Sequence, residues 1–189
     1  ALTCKSPEEM LIGLRQKMAK ILITMKHYNE AKTEIELLLK TRNIKGYKIL
    51  LLNTNVKHQL SSSEYNTRRI QCEQGITWIQ QQESTVNSLR DATIEMLEKY
   101  VLPKDILIYN RCKYVVEENT RLISACADLE NGDIEALGKK MFATHEGLKL
   151  LYEVSCPELD FLVDQVKGHP AVLGARMMGG GFGGCTINI

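Results

Sequence analysis

Gly174-Ala175-Arg176-Met177-Met178-Gly179-Gly180-Gly181-Phe182-Gly183-Gly184-Cys185 is the stretch on which the reading of this chain turns. Six of the 13 glycines fall between positions 174 and 184. A β-carbon is excluded where the backbone needs positive φ or where another group comes very close. An apolar patch, Ala171-Val172-Leu173, precedes the loop, and a β-type run, Cys185-Thr186-Ile187-Asn188-Ile189, follows it. The stretch therefore reads as strand, glycine loop, strand. Successive free N–H groups in such a loop form a concavity suited to anions such as phosphate. The plain alternative is a flexible hairpin or linker, which seldom carries a Phe flanked by glycines between two apolar runs. No Gly-Lys-Ser/Thr follows, so the loop is not of the Walker type. No helical pattern follows either, so it is not a dinucleotide fingerprint.

The totals bound what the chain can be. At 189 residues it suits one or two small domains with a real core. Its 24 basic and 23 acidic residues leave no electrostatic footprint for nucleic acid or an anionic membrane. No apolar run is long enough to span a bilayer, and the start is not a signal peptide. The six cysteines are far apart and form no Cys-x-x-Cys pair, so neither a zinc site nor a disulfide framework is expected. Buried free thiols in a reducing cytoplasm are the expectation, and no metal ligands are assigned.

Residues 1–43 read as a helical hairpin. Ser6-Pro7-Glu8-Glu9 is a helix start, with Ser6 as N-cap and Glu9 as capping-box partner. Met10, Leu14, Met18, Ile21, Leu22 and Met25 recur at helical spacing, and Ala31, Ile35, Leu38 and Leu39 mark a second helix. The spacing is weakly tetratricopeptide-like. A single repeat cannot bury its apolar face without neighbours, so the segment is either one such module or a simple hairpin. Self-association or a partner chain through this face is the corresponding expectation.

From Tyr47 to Asn53 a continuous apolar run reads as a buried strand. Ser62 or Ser63 reads as the N-cap of a helix from about Glu64 to Gln81, with Trp78 in the core. A polar loop follows, with a short helix from Thr93 to Tyr100. The longest helical pattern runs from Lys104 to Glu130. Its expected buried stripe is Ile108, Cys112, Val115, Val116, Leu122, Ile123, Cys126 and Leu129. Asn131-Gly132 caps it, and Asp133 opens a helix through Leu151. A catalytic role for His145 is outweighed by packing or hydrogen bonding. Cys156-Pro157 starts the last helix, to Val166. Strand, helices, strand, loop and strand together give an α+β domain with helices on one face of a mainly antiparallel sheet.

The glycine stretch closely resembles the third motif of the galactokinase branch of the GHMP small-molecule kinases, Gly-x-Arg-Met-Thr-Gly-Gly-Gly-Phe-Gly-Gly-Cys. Met178 stands where Thr is usual. Two further stretches in the same order carry the resemblance. They are Leu52 to His58 with Ser63-Glu64-Tyr65-Asn66-Thr67-Arg68-Arg69, and Leu151-Tyr152-Glu153-Val154-Ser155-Cys156-Pro157-Glu158-Leu159-Asp160. It covers about residues 46–189 and implies the GHMP-kinase C-terminal fold. It implies phosphoryl transfer from ATP, with Mg2+, to the anomeric hydroxyl of galactose in the cytoplasm. It also implies that Tyr65 contacts the sugar and that Gly179, Gly180, Gly181, Phe182, Gly183 and Gly184 support nucleotide or phosphate. Taken alone, Tyr65 also reads as a half-buried tyrosine at a helix start. Arg68 and Arg69 would pair with phosphate or, more commonly, with carboxylates.

The resemblance also has gaps. The family's Arg-x-Asn-Leu-Ile-Gly-Glu-His motif, its Gly-Leu-Ser-Ser-Ser loop and the acid of its Met-Asp-Gln stretch are not found in these residues. Gln59 replaces the glycine before Leu60-Ser61-Ser62-Ser63. The domain is expected to be incomplete at its C-terminal end, since the family continues beyond the strand holding Ile189. No catalytic residue is assigned, and the chain alone is expected to be inactive. The alternative is a non-catalytic sugar-sensing or interaction module on the same scaffold.

Overall fold

The computed structural model describes residues 46–56 and 61–189, with backbone alone for 61–63. The hairpin expected over 1–43 lies outside the described residues. By contacts the chain divides into two compact units, Ala1–Tyr47 and Lys48–Ile189, and the second is described below.

Strand β1 (Leu50–Asn53) is followed by five helices: α1 (Ser61–Gln80), α2 (Ile94–Tyr100), α3 (Ile106–Asn131), α4 (Ile134–Leu150) and α5 (Pro157–Val166). Strands β2 (Ala175–Met177) and β3 (Cys185–Asn188) close the unit. The helix ends follow the local chemistry. The Thr93 hydroxyl accepts from the Met96 N–H at the start of α2. The Asp105 carboxylate accepts from the N–H groups of Leu107 and Ile108 at 2.7 and 3.0 Å, satisfying two of the donors a helix start leaves open. Gly132, at φ 74°, ends α3 in the left-handed conformation that a β-carbon disfavours. The Asp133 side chain then caps α4.

The sheet order is β1-β3-β2, antiparallel throughout. The register places Leu50, Asn188 and Ala175 in one row and Leu52, Thr186 and Met177 in another. Ala175, Met177, Thr186 and Asn188 are buried on that shared face. Helices α4 and α5 pack on β2, and α5 also on β3. A first core joins α1, α2 and α3 through Cys72, Ile79, Leu97, Val101, Tyr109, Cys112 and Val116. A second, around Val154, Leu159 and Met177, lies beneath the glycine loop.

Several expectations need correction. Among the described residues the run before Asn53 is an edge strand, paired with β3 alone, and Leu50 is 54% exposed. The strand before the loop is Ala175–Met177, whereas 171–173 form a turn. Helix α1 already runs at Ser61, so Ser62 and Ser63 lie inside its first turn and do not precede it. Leu122 and Ile123 stand on the open side of α3, the latter 74% exposed. Tyr109, Arg111 and Tyr114 are buried on α3 instead, because the helix packs between α1 and α4. Trp78 is half-buried at the rim of the first core, under the Lys104 ammonium.

Backbone-to-backbone contact fixes α4 against the approach to β2. A β-carbon on Gly138 would overlap the carbonyl oxygen of Leu173, and one on Gly174 would overlap the backbone of Gly138. Overpacking of this kind costs about 1–3 kcal/mol. Gly138→Ala is therefore expected to lower the unfolding free energy by about 2 kcal/mol or more in urea titration. An unchanged midpoint would show that α4 can move away freely.

Candidate functional site

Three described residues other than glycine have positive φ: Asn55 at 58°, Glu153 at 51° and Phe182 at 58°. Phe182 is in the glycine loop, and Asn55 and Glu153 each adjoin a residue that touches it, Thr54 and Val56 on one side and Val154 on the other. Non-glycine backbone in this region is uncommon and clusters where the surrounding structure holds a particular local shape.

The loop is clamped from two sides. On one side, the N–H and hydroxyl of Thr54 both donate to Gly184 O, at 2.9 and 2.8 Å. Gly184 N–H donates to Val56 O at 3.4 Å. A β-carbon on Gly183 would stand 2.7 Å from that same Val56 oxygen. The Asn53 carboxamide accepts from the Asn55 N–H at 2.9 Å, a side-chain turn that accommodates the left-handed Asn55. On the other side, Phe182 N–H donates to Val154 O at 2.8 Å, and Gly181 lies so close to that carbonyl that a β-carbon would overlap it. Met178 N–H donates to Cys185 O at 2.8 Å and closes the neck of the hairpin.

Between these anchors the backbone is largely left-handed, with Phe182 and four of the glycines at positive φ. Gly179, Gly181, Gly183 and Gly184 have φ of 78°, 88°, 128° and 87°. The N–H groups of Gly179, Gly180 and Gly183 find no acceptor among the described residues. Gly179 and Gly180 are thus successive donors, the kind of backbone from which anion sites can be built. The ring of Phe182 is half-buried and packs on the second core, so the side chain anchors the loop while its backbone helps shape it.

The Tyr65 ring lies beside the loop: its Cδ2 is 3.9 Å from where a β-carbon on Gly180 would stand. Tyr65 is 53% exposed on the first turns of α1. One helical turn on, Arg68 is buried, with Nε donating to Tyr152 O at 2.8 Å and Nη2 to Glu153 O at 2.9 Å. Its contact with the Glu64 carboxylate is longer, at 3.4 Å. Arg69 pairs with Glu73 at 3.0 Å on the surface. The main partners of Arg68 are therefore backbone carbonyls, which residue-type reasoning did not single out. Arg111, 1% exposed, likewise donates to Leu151 O and pairs with the Glu153 carboxylate at 2.6 Å. Burial pushes the Tyr152 phenol well above its usual range, so it stays protonated and is no base.

His145 is buried on α4 below the loop. Its Nδ1 accepts from the Met177 N–H of β2 at 3.3 Å, which leaves the proton of the neutral ring on Nε2. Nε2 lies 3.2 Å from Asp160, whose carboxylate also accepts from the Ser155 hydroxyl at 2.5 Å and pairs with Lys149 at 3.4 Å. Burial lowers the His145 pKa, outweighing the opposite pull of Asp160. The ring thus sits where its packing and hydrogen bond join α4 to β2.

Residues 124–188 match the family described as GHMP kinases C terminal. Residues 1–88 match one described as a domain of unknown function, DUF7017, a span that crosses from the first compact unit into the second. The galactokinase of Thermotoga maritima is 46% identical over 144 residues, covering 76% of this chain and 39% of that protein. The galactokinase of Bos taurus is 42% identical over 144 residues, covering 75% and 35%. The C-terminal part of this chain is a GHMP-kinase C-terminal domain of the galactokinase kind. A crystal structure of Lactococcus lactis galactokinase complexed with galactose superposes on this galactokinase-type domain with a TM-score of 0.71 at 33% identity. The match covers 77% of this chain and 38% of that one. The chain thus spans about two fifths of the length of the galactokinases it matches.

Two outcomes follow from this geometry. Gly181→Ala is expected to cost more than 2 kcal/mol, since the methyl meets Val154 O at positive φ. Gly179→Ala, at positive φ but in open space, should cost about 1–2 kcal/mol. Chemical denaturation of both variants checks the order, and equal losses would contradict it. His145 sets a pH dependence. Its folded pKa is below the ordinary imidazole value of about 6.5, so the unfolded state binds more protons in the window between them. The contribution is full above about pH 6.5–7 and is lost as pH falls through 6.5 towards the folded pKa. Thermal melts from pH 7.5 to 5 should show that loss, and His145→Gln should flatten it.

Proposed function

We propose that this domain forms one wall of a galactokinase-type site, where the family reaction converts ATP and galactose to galactose 1-phosphate and ADP. The observation that carries the reading is the Tyr65 ring beside Gly180 at the mouth of a clamped, donor-bearing loop. Tyr65 would meet the sugar with its ring and hydroxyl. The N–H groups of Gly179, Gly180 and Gly183, without an acceptor among the described residues, fit an anionic oxygen of nucleotide or phosphate, and Gly181, Phe182 and Gly184 hold them in shape. Such donors, fixed beforehand, stabilise charge without reorganising during the reaction.

Mg2+ would arrive with the ATP phosphates and neutralise their charge; we assign no described side chain to it. Phosphoryl transfer depends mainly on positioning and charge neutralisation. These residues would supply part of both, but no acid among them takes the base role by motif. We therefore propose that the 189 residues bind sugar without turning it over, and that residues 1–43 meet a second copy or another chain. A cytoplasmic setting goes with this reading. No described helix is long and apolar enough to cross a membrane.

Calorimetric titration of the chain with galactose tests the binding. Saturable binding is expected, weakened about tenfold in Tyr65→Ala and less in Tyr65→Phe, which keeps the ring. Absent binding, or binding indifferent to Tyr65→Ala, would refute the site. In an ADP-release assay with galactose and ATP–Mg2+ the chain should stay at background. Turnover at roughly 1–100 per second, ordinary for kinases, would refute the non-catalytic part.

A further inference from the structure

Two buried arginines hold the surface on which the glycine loop rests. We propose that Arg68 and Arg111 are positioning residues for the loop, acting through the segment Leu151 to Val154. The inference rests on reading the loop as the ligand-facing wall.

Helix α4 ends at Leu150, where a helix leaves its last carbonyls without partners and carries partial negative charge. Three successive carbonyls beyond it receive guanidinium donors: Leu151 O from Arg111, and Tyr152 O and Glu153 O from Arg68. The Glu153 carboxylate takes a second donor from Arg111 at 2.6 Å. Its backbone is held at φ 51°, a left-handed conformation that glycine would adopt more readily. The chain then turns so that Val154 N–H donates to Leu148 O at 3.0 Å and Val154 O accepts from Phe182 at 2.8 Å. The path from guanidinium to loop is thus continuous: two arginines, three carbonyls, one left-handed residue, one shared carbonyl.

The placement of Arg68 links the two halves of the site. It lies three residues after Tyr65 on α1, on the neighbouring turn. One helix therefore presents the aromatic ring and also braces the segment that the loop leans on. A guanidinium serves here because its planar fork donates to two carbonyls at once, which an ammonium on a flexible stem does less well.

Amide hydrogen exchange of the whole 189-residue chain, read by NMR, tests this without sugar or nucleotide. It therefore stands or falls independently of galactose binding. In Arg68→Lys the Phe182 amide is expected to exchange on the order of tenfold faster, since charge-assisted bonds to the segment are lost. The Val101 amide, bonded to Leu97 O at the end of α2, should keep its original rate. Glu153→Gln alters a side chain that is 54% exposed and is the milder change. It should speed Phe182 about threefold and again spare Val101. Should Arg68→Lys fail to fold, Glu153→Gln carries the test alone. An unchanged Phe182 rate would overturn the proposal. So would equal acceleration at Phe182 and Val101, which is the mark of general destabilisation.

Discussion

A single backbone oxygen, that of Val154, is the point on which the site depends. Gly181 packs against it and Phe182 donates to it, so it sets both how near the loop can come and where it bends. A buried carbonyl needs a partner, and the loop supplies one only if position 181 has no side chain. The remaining glycines follow from that first contact. The loop must double back within a few residues to reach Val56 and Thr54 on its other side, and left-handed φ at Gly183 and Gly184 lets it do so.

The layers below serve the same end. The second core, with Leu159 and Met177 almost wholly buried, gives the Phe182 ring a bed and keeps β2 close to α4 and α5. His145 ties the last residue of β2 to α4 through a backbone N–H. The mutual contact of Gly138 and Gly174 sets the distance between helix and strand at its lower limit. The match to the GHMP kinases C-terminal family over residues 124–188 thus includes a continuous physical object, a braced loop on a packed base.

The loop and Tyr65 were legible in the sequence because each leaves a side-chain signature. A run of missing β-carbons reports backbone crowding directly, and a motif tyrosine can be placed by its neighbours. The helices were legible to within a few residues, since Thr93, Asp105, Gly132 and Asp133 mark their ends by chemistry that acts over two or three positions. The roles of Arg68 and Arg111 were not legible. Their chief partners are carbonyls, which every residue has, so no residue type betrays them. An unbroken apolar run likewise cannot say whether a neighbour covers it, and β1 is an edge among the described residues. Leu122 and Ile123 keep helical spacing yet face outward, because spacing marks a face without showing what packs on it. The strand before the loop lies four residues on from the apolar patch 171–173, at Ala175–Met177. Ala175 and Met177 alternate with Arg176, and alternation over three residues is too short to stand out.

The pairing of β1 has a kinetic side. Thr54 and Gly184 are 130 residues apart in sequence, and Leu50 bonds to Asn188 across 138. Closing so large a ring must await the residues of β3, whereas α1, α2 and α3 can find one another early. During vectorial synthesis on the ribosome, the hydrophobic ribbon at Leu50 and Leu51 would therefore emerge long before its mate. Throughout that interval it is an open template for foreign strands, and the nascent chain's yield would rest on whatever shields it from aggregation.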